Sequence, residues 1–224
     1  MKEFDREIKL IGEEAFNRLN SSRVLLFGVG GVGSYTFEAL VRGGVGEIDI
    51  VDKDVVDITN INRQLVALQS TVGKDKVEVA KERALDINPS VKIGTYRMFY
   101  EPGDSTLDFT KYDYVIDCID SVPSKIDIIE RAKKCNVRVI SSMGTGKKLD
   151  PTLFRISDIS KTSVCPLARV VRKALKEKGI KDVKVLYSLE EPKKSENVIS
   201  SISFVPSVAG LLIAGEVIKD IAGC

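Results

Sequence analysis

Residues 28–33 read GVGGVG, and Asp52 stands nineteen positions beyond Gly33. A glycine turn between a strand and a helix leaves backbone N–H groups free to hold phosphate, so Gly28, Gly30, Gly31 and Gly33 form a candidate cradle. Asp52 falls where an acid at the tip of the next strand meets a ribose hydroxyl pair. That much suits any nucleotide. The segment after Asp52 is more selective: Asn60, Asn62, Arg63 and Gln64 come within a dozen residues, and Lys76 soon after. Arg63 is a permanently charged fork matched to phosphate oxygens, and Asn60 and Asn62 add neutral donors. Lys76 is predicted near a helix N-terminus, where dipole and ammonium both favour an anion. Farther on, IDCIDS carries Asp117, Asp120 and Ser121, with Asp120 the better placed to hold Mg²⁺ at a strand's carboxyl end.

Each residue also has a plainer reading. The glycines can serve packing alone, Arg63 a surface ion pair, Lys76 a solvated helix face, and Asp120 an N-cap. Their convergence on one set of strand ends is what favours chemistry. Two cations and a metal there would stabilise a triphosphate as pyrophosphate leaves, since positioning and electrostatics dominate such transfers. The 224-residue chain contains no histidine, which excludes any imidazole base, acid or metal ligand. The attacking group is then a carboxylate supplied by the substrate, and the product an acyl-adenylate.

The elements that must position these residues alternate. Apolar spacing predicts a helix over residues 3–20. RVLLFGVG (23–30) has the continuous apolar character of a buried parallel strand. Further strands are expected at 47–52, 91–96, 112–120 and 137–143, with helices at 34–42, 74–87 and 122–136 between them. This rhythm predicts an α/β, Rossmann-like, doubly wound and mostly parallel sheet. Past residue 146 the pattern changes. Strands are predicted at 153–159 and 183–188, a helix at 166–178, and a last helix near 207–221 with Gly210 and Gly215 available for close packing. No low-complexity linker intervenes, so a single domain is expected over 1–224: an N-terminal helix to residue 22, a nucleotide-binding core over 23–146, and a substrate-side elaboration over 147–224.

An apolar share of 43% and a charged share of 29% are those of a globular protein, and the net charge is only +2. The charge is unevenly spread, with thirteen Lys or Arg against seven Asp or Glu between residues 147 and 196. Arg169, Arg172, Lys173 and Lys176 follow an i, i+3, i+4, i+7 stripe, a candidate RNA-binding face with Val170, Val171, Ala174 and Leu175 turned inward. The four cysteines are scattered without any CxxC pair. With a charged, leaderless N-terminus they lead to the expectation of a reducing cytoplasm and no membrane span.

GVGGVGS, DKDVVDITNINRQ, VGKDKVEVA, INP and VIDCIDS, in this order, resemble the ubiquitin-activating-enzyme-like superfamily, which includes the ThiF/MoeB/HesA adenylating enzymes. The resemblance runs over residues 4–146 and implies an ATP site at Gly28 to Gly33, Asp52, Asn60, Arg63, Gln64, Lys76 and Asp120. It also implies a homodimer in which Arg6 reaches the partner's phosphates. GTGKKLDPTLFRISDISKT, PLAR and SFVPSVAGLLIAGEVIKDI resemble one branch, the tRNA threonylcarbamoyladenosine dehydratases. That branch implies ATP-dependent ring closure of the modified nucleoside in tRNA, with Arg63, Lys76, Asp120 and Arg6 in catalytic roles. It leaves open a monovalent cation near the site and a sulfur-transfer partner. The alternative is activation of a ubiquitin-like sulfur-carrier protein, in which Cys165, next to Pro166 and near Lys161, would matter. An oxidoreductase has only the glycine loop and Asp52 in its favour. A non-catalytic nucleotide binder would require the named ATP residues to have decayed, and they are all present.

Overall fold

The computed structural model describes residues 2–193 and 200–224. Seven strands form one sheet, β1 (Arg23–Phe27), β2 (Glu47–Val51), β3 (Lys92–Tyr96), β4 (Tyr114–Asp117), β5 (Arg138–Ser142), β6 (Phe154–Asp158) and β7 (Lys184–Ser188). Their spatial order is β3-β2-β1-β4-β5-β7-β6, parallel throughout except for the antiparallel β6–β7 pair. The doubly wound α/β expectation therefore holds, and the reversal of winding falls between β1 and β4. At such a switch the crevice beyond the strand ends opens to ligands.

The central strands are apolar on both faces because helices cover both. Val24 and Leu26 of β1 join one core with Ile48, Ile50, Ile116 and Ile140, beneath α3 (Gly33–Arg42), α4 (Lys76–Ile87) and α7 (Phe204–Ala222). Leu25 and Phe27 point the other way, into a second core with Val115, Val139 and Val185, beneath α5 (Val122–Lys134) and α6 (Pro166–Glu177). The period-two alternation of β1 thus feeds two separate apolar layers.

The expected helix over residues 3–20 is two helices, α1 (Asp5–Ile11) and α2 (Glu13–Asn20). Gly12 between them has φ 88° and ψ 155°, a conformation closed to side-chain-bearing residues. α2 packs Ala15, Phe16 and Leu19 into the core, while α1 buries no residue and leaves Leu10 84% exposed. α7 starts at Phe204, three residues before the expected position, because Pro206 is accommodated in its first turn. It is a core helix. Gly210 permits its approach to α3, since a Cβ there would lie 2.3 Å from the Val32 carbonyl oxygen, whereas Gly215 faces open space. No helix among the described residues is long and apolar enough to cross a membrane.

Candidate active site

A cavity of about 900 Å³ opens at the carboxyl ends of β1, β2, β4 and β5. On its floor the chain leaves β1 at Gly28, with φ 88°, and enters α3 at Gly33. Gly33 does not line the cavity. A Cβ there would lie 1.8 Å from the Gly28 carbonyl oxygen, so Gly33 closes the turn while Gly28, Gly30 and Gly31 line the space. Asp52, just past β2, accepts the Val29 N–H at 2.7 Å through Oδ2 and the Asp54 N–H at 2.9 Å through Oδ1. It pins the loop to the strand tip and still lines the cavity.

The TNINRQ segment folds locally. Asp57 and Asn60 cap each other around a short 3-10 turn, Ile58–Asn60, with Asp57 N–H donating to Asn60 Oδ1 at 3.1 Å. Asn60 is thereby buried against the cavity. Arg63 donates to the Thr59 carbonyl at 2.8 Å and to Asn62 Oδ1 at 2.9 Å. It pairs with no carboxylate among the described residues, which removes the ion-pair reading. Gln64 Oε1 is a buried acceptor without a partner there. Asn62 does not line the cavity, and its amide donates to the Ser201 carbonyl at 3.1 Å, steadying Arg63 from outside.

Lys76 is the first residue of α4 and is 4% exposed, so it is no solvated helix charge. Its Nζ lies 3.0 Å from Asp54 Oδ2. Asp120 is not an N-cap either, because Ser121 holds that position on α5. The Asp120 carboxylate lines the cavity without a hydrogen-bond or ion-pair partner among the described residues. The set Gly28, Gly30, Gly31, Asp52, Asn60, Arg63, Gln64, Lys76, Asp120 and Ser121 thus shares one cavity, while Gly33, Asn62 and Arg6 stand outside its lining. Arg6 is exposed on α1.

Three features escaped the sequence reading. β4 ends at Asp117 rather than continuing to residue 120. Asp117 is fully buried and bound by an equally buried Lys125 at 2.7 Å, which also donates to Ser141 Oγ at 3.3 Å and to the Ser142 carbonyl at 2.9 Å. The other Asp117 oxygen accepts the Ile119 N–H at 3.2 Å. This pair ties the Asp120 loop to the end of β5. The only trace in the sequence was two opposite charges eight positions apart, with nothing to set Asp117 off from Asp120 beside it. A second feature is Phe99 beyond β3, half exposed, lining the cavity beneath Lys53 with Nζ 4.6 Å from the ring centre. A third is Lys148, which sits inside the GTGKKL motif but had no charge pattern to single it out.

The cysteines and the basic helix also find their places. Cys118 follows β4, and burial and then Asp117 push its thiol up to about 12, which keeps it protonated. Cys165 is buried at the N-cap of α6 and lines the cavity, with Sγ 3.6 Å from the position a Gly144 Cβ would take. On α6, Arg169, Lys173 and Lys176 are exposed, whereas Arg172 is half-buried and bonded to Thr162 through Nη1. Val170 is 52% exposed, contrary to the inward face expected of it, because Ala168, Val171 and Leu175 form the buried stripe.

Known proteins resemble the chain over nearly its whole length. The ThiF family model matches residues 4–224. The chain is 45% identical over 242 residues to the tRNA threonylcarbamoyladenosine dehydratase of Bacillus subtilis (strain 168), covering 99% of this chain and 95% of that protein. It is 38% identical over 175 residues to the dehydratase of the same name from Escherichia coli (strain K12), covering 77% and 65%. Among solved structures, the E. coli tRNA N6-threonylcarbamoyladenosine dehydratase TcdA in complex with ATP matches with a TM-score of 0.91 at 31% identity, covering 99% of this chain and 94% of that one. Its complex with AMP matches with a TM-score of 0.93 at the same identity. In sequence and in fold, the chain belongs to the ThiF family.

Proposed function

We propose that the chain uses ATP to activate the carboxylate of N6-threonylcarbamoyladenosine in tRNA, and that the acyl-adenylate closes into a ring with net loss of water. The observation that carries this reading is the cavity itself. Among the described residues it brings together an arginine with no carboxylate partner, an uncommitted aspartate and an orphaned buried acceptor, in a chain spanning nearly all of a relative named for that reaction. Arg63 and Lys76 face the phosphates and stabilise charge as pyrophosphate departs. Lys76 can turn from Asp54 toward the more highly charged triphosphate, both partners being at the cavity wall. Glycine N–H groups hold the nucleotide's phosphate end, Asp52 the ribose, and the face of Phe99 a purine.

Mg²⁺ suits the donor set. It is held by one or two carboxylates together with substrate phosphates, and Asp120 is the available carboxylate. When bound it would neutralise phosphate charge. The nucleophile belongs to the substrate, so ring closure gains from proximity and needs no covalent enzyme intermediate. α6 begins at the cavity with Cys165 and carries Arg169, Lys173 and Lys176 outward, a route for tRNA phosphates. α1, burying nothing in the single chain, favours a homodimer in which each copy's Arg6 serves the other's site.

The experiment measures ATP consumption with and without tRNA carrying the modified nucleoside, followed by mass analysis of the nucleoside. AMP and pyrophosphate formed in step with loss of one water mass supports the reading. Arg63→Ala should lower both by roughly 10²- to 10³-fold with an unchanged melting temperature. Cys165 in the cavity wall favours one second reading, activation of a sulfur-carrier protein. Pyrophosphate release driven by such a carrier and not by tRNA would establish that instead.

A further inference from the structure

Beyond Ser142 the cavity extends along residues 143–148 to the N-cap of α6, a stretch outside the residues assigned above to the nucleotide. Lys147 has φ 60°, in the left-handed region, so the chain reverses just before Lys148. Lys148 is 3% exposed and lines the cavity. Its Nζ donates to the Glu190 backbone carbonyl. The Glu190 carboxylate is occupied elsewhere, accepting the Leu149 N–H at 2.9 Å and the Asp150 N–H at 2.9 Å. Lys148 therefore has no ion pair among the described residues, unlike Lys76 with Asp54 or Lys125 with Asp117. The titratable groups facing Nζ are the Cys165 thiol from the start of α6 and Glu190 from the chain after β7. Burial outweighs both and holds the amine below the usual lysine range.

An amine kept dry, clamped through one carbonyl and facing the substrate side of an adenylation cavity can accept a proton. We infer that Lys148 takes the proton released when the substrate's carbamoyl N–H nitrogen, the one bonded to the adenine, attacks the acyl-adenylate. In that step the nitrogen–carbon bond forms and the carbon–oxygen bond to AMP breaks. The electron pair leaves on the AMP phosphate oxygen, the nitrogen's proton passes to Lys148 Nζ, and the lysine then returns it to solvent. The inference rests on the proposed function and divides that reaction at a definite point.

The test separates the two half-reactions in the full chain, with tRNA carrying the modified nucleoside. Pyrophosphate exchange into ATP reports adenylation, and single-turnover nucleoside analysis reports ring closure. Lys148→Met should keep exchange within about threefold of the parent and slow closure by roughly 10²-fold or more. Lys148→Arg keeps a long basic side chain but is permanently protonated, so it cannot accept a proton at working pH and should lose closure equally. It carries the test if the methionine variant does not fold. In the parent, closure should rise with pH to a plateau, and in both variants that limb should vanish. Parallel loss of exchange and closure would make Lys148 a binding residue, and unchanged closure would leave it idle; either overturns the inference. A parent that gives no exchange with the modified tRNA overturns the proposed function first, and this inference with it.

Discussion

On the wall proposed to hold the nucleotide, Lys76 sits 3.0 Å from the Asp54 carboxylate and Asp52 accepts two backbone N–H groups, whereas elsewhere in the cavity Lys148 donates to a backbone carbonyl and has no ion pair among the described residues. The first wall is assembled from strand tips and the turns beyond them, each segment short and locally folded. The second gathers residues 142–148, Cys165, Pro192 and Ser201 from four separate stretches of chain. Under the proposed function, the wall that receives the nucleotide keeps its lysine beside a carboxylate until the phosphates arrive. The wall inferred to receive the reacting nucleophile keeps its amine buried, with no ion pair among the described residues. Between them runs the buried Asp117–Lys125 pair, from the loop of Asp120 to the end of β5.

Breaking that link should have the largest effect on stability. Lys125→Met leaves the fully buried Asp117 without its partner and should cost about 3–5 kcal/mol in urea unfolding. Adding Asp117→Asn should recover much of the loss, because the isolated charge, rather than the missing contact, dominates the penalty. A single-variant cost below about 1 kcal/mol would mean that the walls are joined by something else.

The two walls can next be separated by ligand. Removing the exposed charges together, Arg169→Ala, Lys173→Ala and Lys176→Ala, should weaken tRNA binding about tenfold at moderate salt and flatten its salt dependence. ATP affinity should not move, since none of these residues lines the cavity. Loss of both affinities together would erase the distinction between the walls.

The smallest effect belongs behind the nucleotide wall. Burial alone would raise the Glu38 carboxyl, but hydrogen bonds and charge from Arg83 and Arg42 outweigh it and hold the group below the usual carboxylate range. A lowered folded-state value contributes stability above the unfolded carboxylate's titration, and this is lost as pH falls through the folded one. Glu38→Gln should therefore cost up to about 1 kcal/mol at neutral pH and close to nothing in acid, measured by denaturation at both.

How much of this the sequence disclosed depends on the range of the interactions. The glycine turn, Asp52 and Asp120 were readable because each sits a few residues from a strand end, where local pattern determines geometry, and Arg63 because it belongs to a short, locally folded polar segment after β2. The parallel sheet was readable for the same reason, since two-sided burial leaves continuous apolar runs. The Gly12 break was not, because helical spacing averages across a single residue whose φ decides the direction of the chain. Val170 was placed on the wrong face of α6 because the contiguous apolar pair Val170 and Val171 hides which member faces the core, and only packing beside α5 in the second core chooses Val171. Lys148 and Lys125 were unmarked because a buried lysine is defined by partners distant in sequence, here Glu190 and the β5 end.

Activation of a tRNA-borne carboxylate in this one cavity is tested most directly by pyrophosphate exchange into ATP by the purified chain, compared across modified tRNA, unmodified tRNA and no tRNA. Exchange that requires the threonylcarbamoyl group and falls steeply with salt is the predicted result. Exchange that ignores tRNA and responds instead to a small carrier protein's C-terminal carboxylate would contradict it.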